Sequence, residues 1–216
     1  MRTKAVISSA LLILFVATAQ GQRASTPAEI RQAETDVPRL AEVLDLKPRM
    51  SVADVGAGFG AMTIVMAKWL GPAGRVFASD IVPAQLAALR DATVREHLDN
   101  VTVIEGSDRS TNLPNACCDA IFMRDVYHHF TRPEEMDRSV LAALRPSGRL
   151  AIIDFEPEPG SKLPDGVPAN RGGHGIAPAI VVDELHAAGL THVTTILNWP
   201  PDSNPAEYFL VLFVKP

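Results

Sequence analysis

Apolar residues follow two alternating patterns along the chain from about residue 27 onward. Short, mostly apolar runs predict buried strands, and longer stretches with apolar residues three and four positions apart predict helices. The predicted strands span residues 50–55, 75–79, 101–105, 119–123, 149–155, 191–197 and 207–214. Strands that alternate with helices are typical of an α/β domain with a mostly parallel sheet.

Two candidate capping boxes mark where helices begin. Thr26 and Glu29 enclose the first, with a proline at the first helical position, and Thr131 and Glu134 enclose the second. The first box opens a helical cap over about residues 26–47, which Pro38 must kink or split. Further helices are predicted at residues 62–70, 83–97, after 131 and at 179–189, and a Pro- and Gly-rich loop is predicted at 156–178.

The last two predicted strands are separated by about nine residues. That length is enough for a hairpin and too short for a helical crossover, so the last strand is expected to run antiparallel to its predecessor. The expected fold is therefore α/β: a doubly wound seven-stranded sheet, mostly parallel, with an antiparallel last strand.

A glycine-rich stretch, V-A-D-V-G-A-G-F-G at residues 52–60, joins the first strand to a helix. Asp54 closes the strand, and Gly56, Gly58 and Gly60 allow a tight turn and a close approach to a ligand. The free backbone N–H groups of the helix start can bind that ligand. A tight turn without any ligand is the alternative interpretation.

The same letters, D-x-G-x-G-x-G, resemble the first motif of class I S-adenosylmethionine-dependent methyltransferases. In that family the loop, here including Ala57, wraps the methionine part of the cofactor. The stretch also contains G-x-G-x-x-A, ending at Ala61, which is a permitted form of the dinucleotide fingerprint. An NAD-binding protein therefore remains an alternative.

The resemblance extends to the ends of the later strands. Asp80 lies about 24 residues after the first glycine, where an acid accepts hydrogen bonds from ribose hydroxyls in both families. Asp108 matches an acid beside the adenine amino group, and Ile81 and Arg124 are assigned to the same cofactor site by their positions. The string L-A-A-L-R-P-S-G at residues 141–148 is similar to the family phrase that leads into strand five.

Methyl transfer mainly requires alignment of the two partners, and a base only when the acceptor must lose a proton. The resemblance places Tyr127 and His128 near the transferred methyl, with His129 beside them, and His174 on the long loop is a further candidate base. Packing of one adjacent histidine at the helix start is the alternative. Arg171, like His174, is expected either to bind an acidic group or to be solvated.

Composition and motif content exclude some classes of partner and cofactor. Because the net charge is −5 and no basic block occurs, no nucleic-acid partner is expected. The acid and Asp-Asn pair of metal-dependent catechol methyltransferases is absent, with Asp125 a lone acid, so no metal is predicted. The resemblance implies a methyltransferase that uses S-adenosyl-L-methionine on a small-molecule substrate. The alternatives are an NAD-linked oxidoreductase and a non-catalytic ligand-binding protein on the same scaffold.

The N-terminus has the features of a signal peptide. Arg2 and Lys4 precede an apolar run over residues 5–17, and Ala17-Thr18-Ala19 supplies a cleavage site. Residues 1–19 are therefore expected to be removed, leaving a single domain over 26–216, exported to the periplasm or secreted, with no stable membrane span. An uncleaved leader that anchors the protein is the alternative.

Cys117 and Cys118 are adjacent in the sequence. Neighbouring Cα atoms about 3.8 Å apart fall below the usual disulfide range, so both residues are expected to be free thiols at the start of a buried strand.

Overall fold

The chain folds around one sheet in the computed structural model, which describes residues 24–201 and 207–216. The helices are α1 (Pro27–Val43), α2 (Ala61–Leu70), α3 (Pro83–Arg95), α4 (Pro133–Ala143) and α5 (Pro178–Ala187). The strands are β1 (Ser51–Val55), β2 (Arg75–Asp80), β3 (Val101–Glu105), β4 (Cys118–Arg124), β5 (Leu144–Asp154), β6 (Thr191–Trp199) and β7 (Tyr208–Val214).

The strands of the described residues pair in the order β3-β2-β1-β4-β5-β7-β6. The first five run parallel, and β7 lies antiparallel to both β5 and β6. The predicted fold class, including the antiparallel last strand, is thus confirmed. The antiparallel end also argues against a dinucleotide domain, whose sheet stays parallel.

The core lies on both faces of the sheet because side chains alternate along each strand. On β1, Val52 belongs to the apolar cluster beneath α1 and α2, whereas its neighbour Ala53 belongs to the cluster beneath α4 and α5. Both residues are fully buried. Continuous apolar runs are the pattern expected of strands covered on both sides.

The first capping box is confirmed. The Thr26 side chain accepts from the Glu29 N–H at 3.2 Å, and the Glu29 carboxylate accepts from the Thr26 N–H at 2.6 Å. Pro38, however, lies inside α1 without splitting it. Val37 and Leu40 on either side are fully buried in the core, and this packing outweighs the one backbone hydrogen bond that proline cannot donate.

The second capping box is wrong. Helix α4 begins at Pro133 with Arg132 as its N-cap, and no side chain bonds to that cap. Proline at the first helical position sets the start one residue later than a Thr131 cap requires. The strand that follows also begins earlier than predicted, because Leu144 already pairs with Cys118 of β4.

Cys117 and Cys118 form a disulfide, which corrects the expectation of free thiols. The Cα atoms are 3.8 Å apart, as neighbours must be. Cys118 begins β4 but Cys117 precedes it, directly after a turn at Ala116, whose φ is +49°. The strand alternation that separates neighbouring side chains therefore does not apply to this pair.

The proposed signal peptide, residues 1–19, lies outside the described residues. Among the residues that are described, no helix combines the length and apolar character needed to cross a membrane.

Candidate cofactor-binding site

A cavity of about 690 Å³ opens at the carboxyl end of the sheet, where the loops after β1, β2, β3 and β4 meet. Strands β1 and β4 are neighbours in space, and the chain leaves them toward opposite flanks of the sheet. This is the crevice in which open α/β sheets bind ligands. The cavity is lined by all nine residues assigned from sequence to the cofactor: Asp54, Gly56, Ala57, Gly58, Gly60, Asp80, Ile81, Asp108 and Arg124.

Gly56 and Gly58 of the glycine-rich loop are needed for different structural reasons. Gly58 has a φ of +57°, and a Cβ added there would meet no atom within 4 Å, only the open cavity. Gly56 has a φ of +76°, but a Cβ there would lie 2.5 Å from the Val126 side chain. Gly56 is therefore required for packing against the loop after β4, whereas Gly58 keeps space clear for a ligand.

Asp80 forms the floor of the cavity at the end of β2. One carboxylate oxygen accepts from the Gly58 N–H at 2.8 Å, and the other accepts from the Val82 N–H at 2.9 Å. An ionised carboxylate offers about four acceptor positions, so it can still bind hydroxyl groups. Asp80 thus shapes the glycine loop as well as lining the cavity, a second role that the sequence did not indicate.

Asp54 and Arg124 bring opposite charges to the same cavity. The Asp54 carboxylate is buried and accepts a hydrogen bond of 2.6 Å from the Thr63 hydroxyl. The pKa of Asp54 is raised to about 7, mainly by burial and to a smaller extent by the neighbouring Asp80, while the Thr63 hydrogen bond and Arg124 oppose the rise. A buried acid of this kind gains most from a ligand that carries a positive charge.

Asp108 and Ile81 lie on the outer wall of the cavity. Ile81 is 56% exposed, which is unusual for an apolar side chain and suits a surface that a ring can cover. The Asp108 carboxylate lies 3.6 Å from the Arg132 guanidinium.

Helix α1 covers the mouth of the cavity, and the sequence did not identify its contributions. Asp36 of α1 is fully buried and lies 3.4 Å from the Arg124 guanidinium, and Gln32 donates to the same carboxylate. Before the helix, the Ser25 hydroxyl donates to the Phe59 carbonyl at 2.8 Å. Ser25, Glu29 and Gln32 all line the cavity. Glu29 and Gln32 lie on the amphipathic first helix, and Ser25 lies just before it.

A second polar cluster lies beside the cavity at the ends of β4 and β5. His128 is fully buried, and its Nδ1 lies 2.8 Å from the Asp154 carboxylate. Its Nε2 lies 3.2 Å from the Nε2 of His174, so the structure brings together two candidates from distant parts of the sequence. His129 lines the cavity itself. Burial, followed by the neighbouring His128 and His174, lowers the pKa of His129.

Tyr127 does not reach the cavity. It is fully buried, and its hydroxyl lies 3.1 Å from both the Asp137 and Glu184 carboxylates. Arg171, whose side chain is fully buried, pairs with Glu184 through both guanidinium nitrogens. Arg171 is thus not solvated, and its acidic partner is Glu184 of α5 within the same chain. These contacts join the long loop to α4 and α5 beneath the sheet.

Comparisons with known proteins agree with this geometry. Residues 53–152 match the methyltransferase domain family. A curated relative is the ubiquinone/menaquinone biosynthesis C-methyltransferase UbiE of Ectopseudomonas mendocina, 28% identical over 123 residues, which are 56% of this chain and 48% of that protein. The chain therefore spans about half the length of the curated relative it matches.

Solved structures share the fold. A SAM-dependent methyltransferase from Aquifex aeolicus superimposes with a TM-score of 0.69 at 23% identity, over 88% of this chain and 98% of the other. A protein from Bordetella parapertussis, described as a possible exported protein, superimposes with a TM-score of 0.63 at 17% identity, over 86% and 68%.

The cofactor fits the cavity on structural grounds, because Gly58 leaves the space open and Asp54 and Arg124 offer charges opposite to those of an amino acid end group. Motif order, sheet order and these matches agree. Residues 53–152 thus match the methyltransferase domain family, the chain has the fold of a solved SAM-dependent methyltransferase, and the cofactor that these matches imply is S-adenosylmethionine.

Proposed function

We propose that the protein binds S-adenosylmethionine in this cavity and transfers its methyl group to a small-molecule acceptor. The observation that carries the proposal is the open space at Gly58, beside a carboxylate at the end of β2. A cavity of about 690 Å³ lies within the range of roughly 300 to 1,000 Å³ typical of small-molecule sites.

Each end of the cavity suits a different part of the cofactor. Asp54 and Arg124 suit the ammonium and carboxylate groups of the methionine part, since their charges are opposite to those groups. The remaining acceptor positions of Asp80 suit the ribose hydroxyls. Asp108 suits the adenine amino group, and Ile81 supplies an apolar face for the ring.

The acceptor is expected to enter near the loop after β4. The bound cofactor supplies an electrophilic methyl group on a positively charged sulfur, so the protein's main task is to align the acceptor with it. Asp125 and His129 line the cavity on this side. His128 is held by Asp154, and its Nε2 lies 3.2 Å from that of His174, so His174 and the cavity-lining His129 are the candidate bases for an acceptor that must lose a proton.

The test compares ligands in calorimetry, using the purified chain. S-adenosylmethionine and S-adenosylhomocysteine are expected to bind saturably, and NAD is expected not to bind. Transfer is then followed with methyl-labelled cofactor and a panel of phenols, thiols and amines. Saturable NAD binding without any response to S-adenosylhomocysteine would contradict the assignment, and cofactor binding without transfer to any acceptor would favour the non-catalytic alternative.

We also propose that the mature chain is exported and begins near residue 20, on the basis of the charged start, the apolar run and the Ala17-Thr18-Ala19 site. The B. parapertussis neighbour with the same fold is described as a possible exported protein. The intact mass of the protein, measured in separate cell fractions, shows whether residues 1–19 have been removed and in which compartment the protein lies. Bulky replacements at Ala17 and Ala19 should leave a membrane-retained precursor, and a soluble cytoplasmic wild-type chain that retains residues 5–17 would refute export.

A further inference from the structure

Three of the six histidines in the chain converge on one point between the ends of β4 and β5. We propose that His128, His129 and His174 form a binding site for one divalent transition-metal ion of the zinc class. The potential ligand atoms of these three residues lie within 4.8 Å of one another. The inference goes beyond the proposed methyl transfer and does not depend on it.

The spacing of the two best-defined ring nitrogens fits a metal. His128 Nε2 and His174 Nε2 are 3.2 Å apart. Two nitrogens bound to zinc at about 2.0 to 2.1 Å in a tetrahedral arrangement lie roughly 3.3 Å apart. His129 is exposed and lies on a short 3-10 helix directly after His128, so a side-chain rotation can bring its ring nitrogen to the same ion.

The carboxylate behind His128 supports the same interpretation. Asp154 is fully buried, and it accepts hydrogen bonds from the His128 and Phe155 backbone N–H groups at 3.1 and 2.9 Å. These bonds fix the carboxylate so that His128 Nδ1–H donates to it, which leaves the lone pair of Nε2 directed at His174. A carboxylate that orients a histidine through its second nitrogen is the usual support of a metal ligand.

The donor set selects the kind of metal. Neutral imidazoles suit zinc, copper, iron and nickel rather than magnesium or calcium, which prefer oxygen. Three nitrogens leave at least one coordination position for a lone-pair donor, as in catalytic zinc sites. Because His129 also lines the cofactor cavity, the expected donor is an ionised hydroxyl or thiol of the acceptor. Only this last step rests on the proposed function.

The competing interpretation is a pair of neutral histidines that share one hydrogen bond. To separate the two, the full chain is purified without a polyhistidine tag, treated with a chelator, dialysed and titrated with Zn²⁺ against a chromophoric chelator. Co²⁺ is titrated in parallel, because its visible absorption reports the coordination. We expect one equivalent of metal and a cobalt spectrum typical of nitrogen coordination.

The variants separate the site from incidental binding. Because His128 is buried and its removal endangers folding, the exposed residues carry the test. His174→Ala and His129→Ala should each lower zinc affinity at least 100-fold, whereas His186→Ala, an exposed histidine on α5, should not change it. Asp154→Asn should lower affinity by roughly 10- to 100-fold, as loss of an orienting carboxylate does.

S-adenosylhomocysteine is titrated into the same samples, so that failure of the metal site and failure of the cofactor site are seen separately. Retained cofactor binding in His174→Ala together with lost zinc binding supports the proposal. The proposal is overturned if the wild-type protein binds no zinc saturably, or if His174→Ala and His186→Ala bind it equally well.

Discussion

The two halves of the sheet each end in an aspartate, Asp80 and Asp154, and the two aspartates have different roles. On the β1–β3 side, Asp80 holds the glycine loop through two backbone N–H groups and still faces an open cavity. On the β4–β5 side, Asp154 is fully buried, and its carboxylate accepts from the His128 and Phe155 backbone N–H groups and lies 2.8 Å from His128 Nδ1. The first acid is placed to contact a ligand, whereas the second positions other residues.

This comparison shows that position at the end of a strand does not by itself define a binding residue. Both acids follow apolar runs, and only the first is followed by a helix that begins beside a cavity. The surrounding backbone decides whether a carboxylate retains acceptor positions for a ligand. The following experiments test that division, beginning with the largest expected effect.

Gly58→Val should weaken S-adenosylhomocysteine binding at least 100-fold, about 2.7 kcal/mol. The side chain would enter the cavity, and a β-branched residue resists the φ of +57° at this position. Calorimetry measures the loss. Gly71→Val is the control, because Gly71 also has a positive φ and no atom near its missing Cβ, but lies at the end of α2. If both variants lose the same affinity for S-adenosylhomocysteine, the loss arises from backbone strain and not from a side chain in the cavity.

Asp54→Asn should stabilise the ligand-free protein more as pH rises. Below pH 3.8 the carboxyl is protonated in both states, so burial carries no charge penalty. Between pH 3.8 and about 7 the unfolded chain ionises first, and the free energy of unfolding of the wild type falls as pH rises. Above about pH 7 the free energy of unfolding of the wild type falls no further through this group.

The variant lacks this loss, so its advantage should grow by roughly 2 to 3 kcal/mol from pH 5 to pH 8. Denaturant unfolding at the two pH values measures the difference, with the exposed Asp99→Asn as control. Cofactor affinity should fall in the same Asp54 variant, because the carboxylate charge is gone. An advantage that does not change with pH would mean that Asp54 is not the buried ionisable group described above.

Asp80→Ala should weaken cofactor binding by more than 1 kcal/mol, because a charged acceptor for the ribose is lost. The domain should stay folded, with only a small drop in melting temperature from the two backbone N–H groups that lose their acceptor. Asp91→Ala, an exposed charge on α3, serves as control. Unchanged affinity in a folded Asp80 variant would place the ribose elsewhere.

Tyr127→Phe tests the buried polar groups near β4 and β5, and among these variants it should have the smallest effect on stability and binding. Loss of the hydroxyl removes the Tyr127 donor from Asp137, while Glu184 keeps its bonds from Arg171, and the free energy of unfolding should fall by about 1 kcal/mol. Cofactor affinity and methyl transfer should not change, because Tyr127 does not line the cavity. A strong loss of transfer at normal stability would return Tyr127 to the catalytic residues.

The sequence predicted the strands well and also indicated residues that line the cavity, because both depend on local patterns. Apolar runs define strands that are buried on both faces, and the acid after each strand reaches the same edge of the sheet. Arg171 and Tyr127 could not be placed in this way. Their partners, Glu184 and Asp137, lie on two different helices, and no local pattern encodes contacts between distant segments.

The errors in the sequence prediction also have physical reasons. Of the two outcomes predicted for Pro38, a split of α1 does not occur because tertiary packing outweighs a local preference, and the Thr131 cap is absent because Pro133 fixes the helix start. The contact between His174 and His128 could not be predicted, because the two residues are separated in sequence and meet only through the loop after β5.

The position of β7 between β5 and β6 affects how the sheet forms during translation. The edge of β5 stays unpaired until Tyr208–Val214 has been synthesised, so the sheet is completed only after α5 and β6 have left the ribosome. The Lys215 ammonium then holds the end of β7 against α4 and β5, since it donates to the Leu141 and Leu144 carbonyls at 2.7 and 2.8 Å. Until that point the nascent chain exposes the unpaired backbone groups of the β5 edge to other strands.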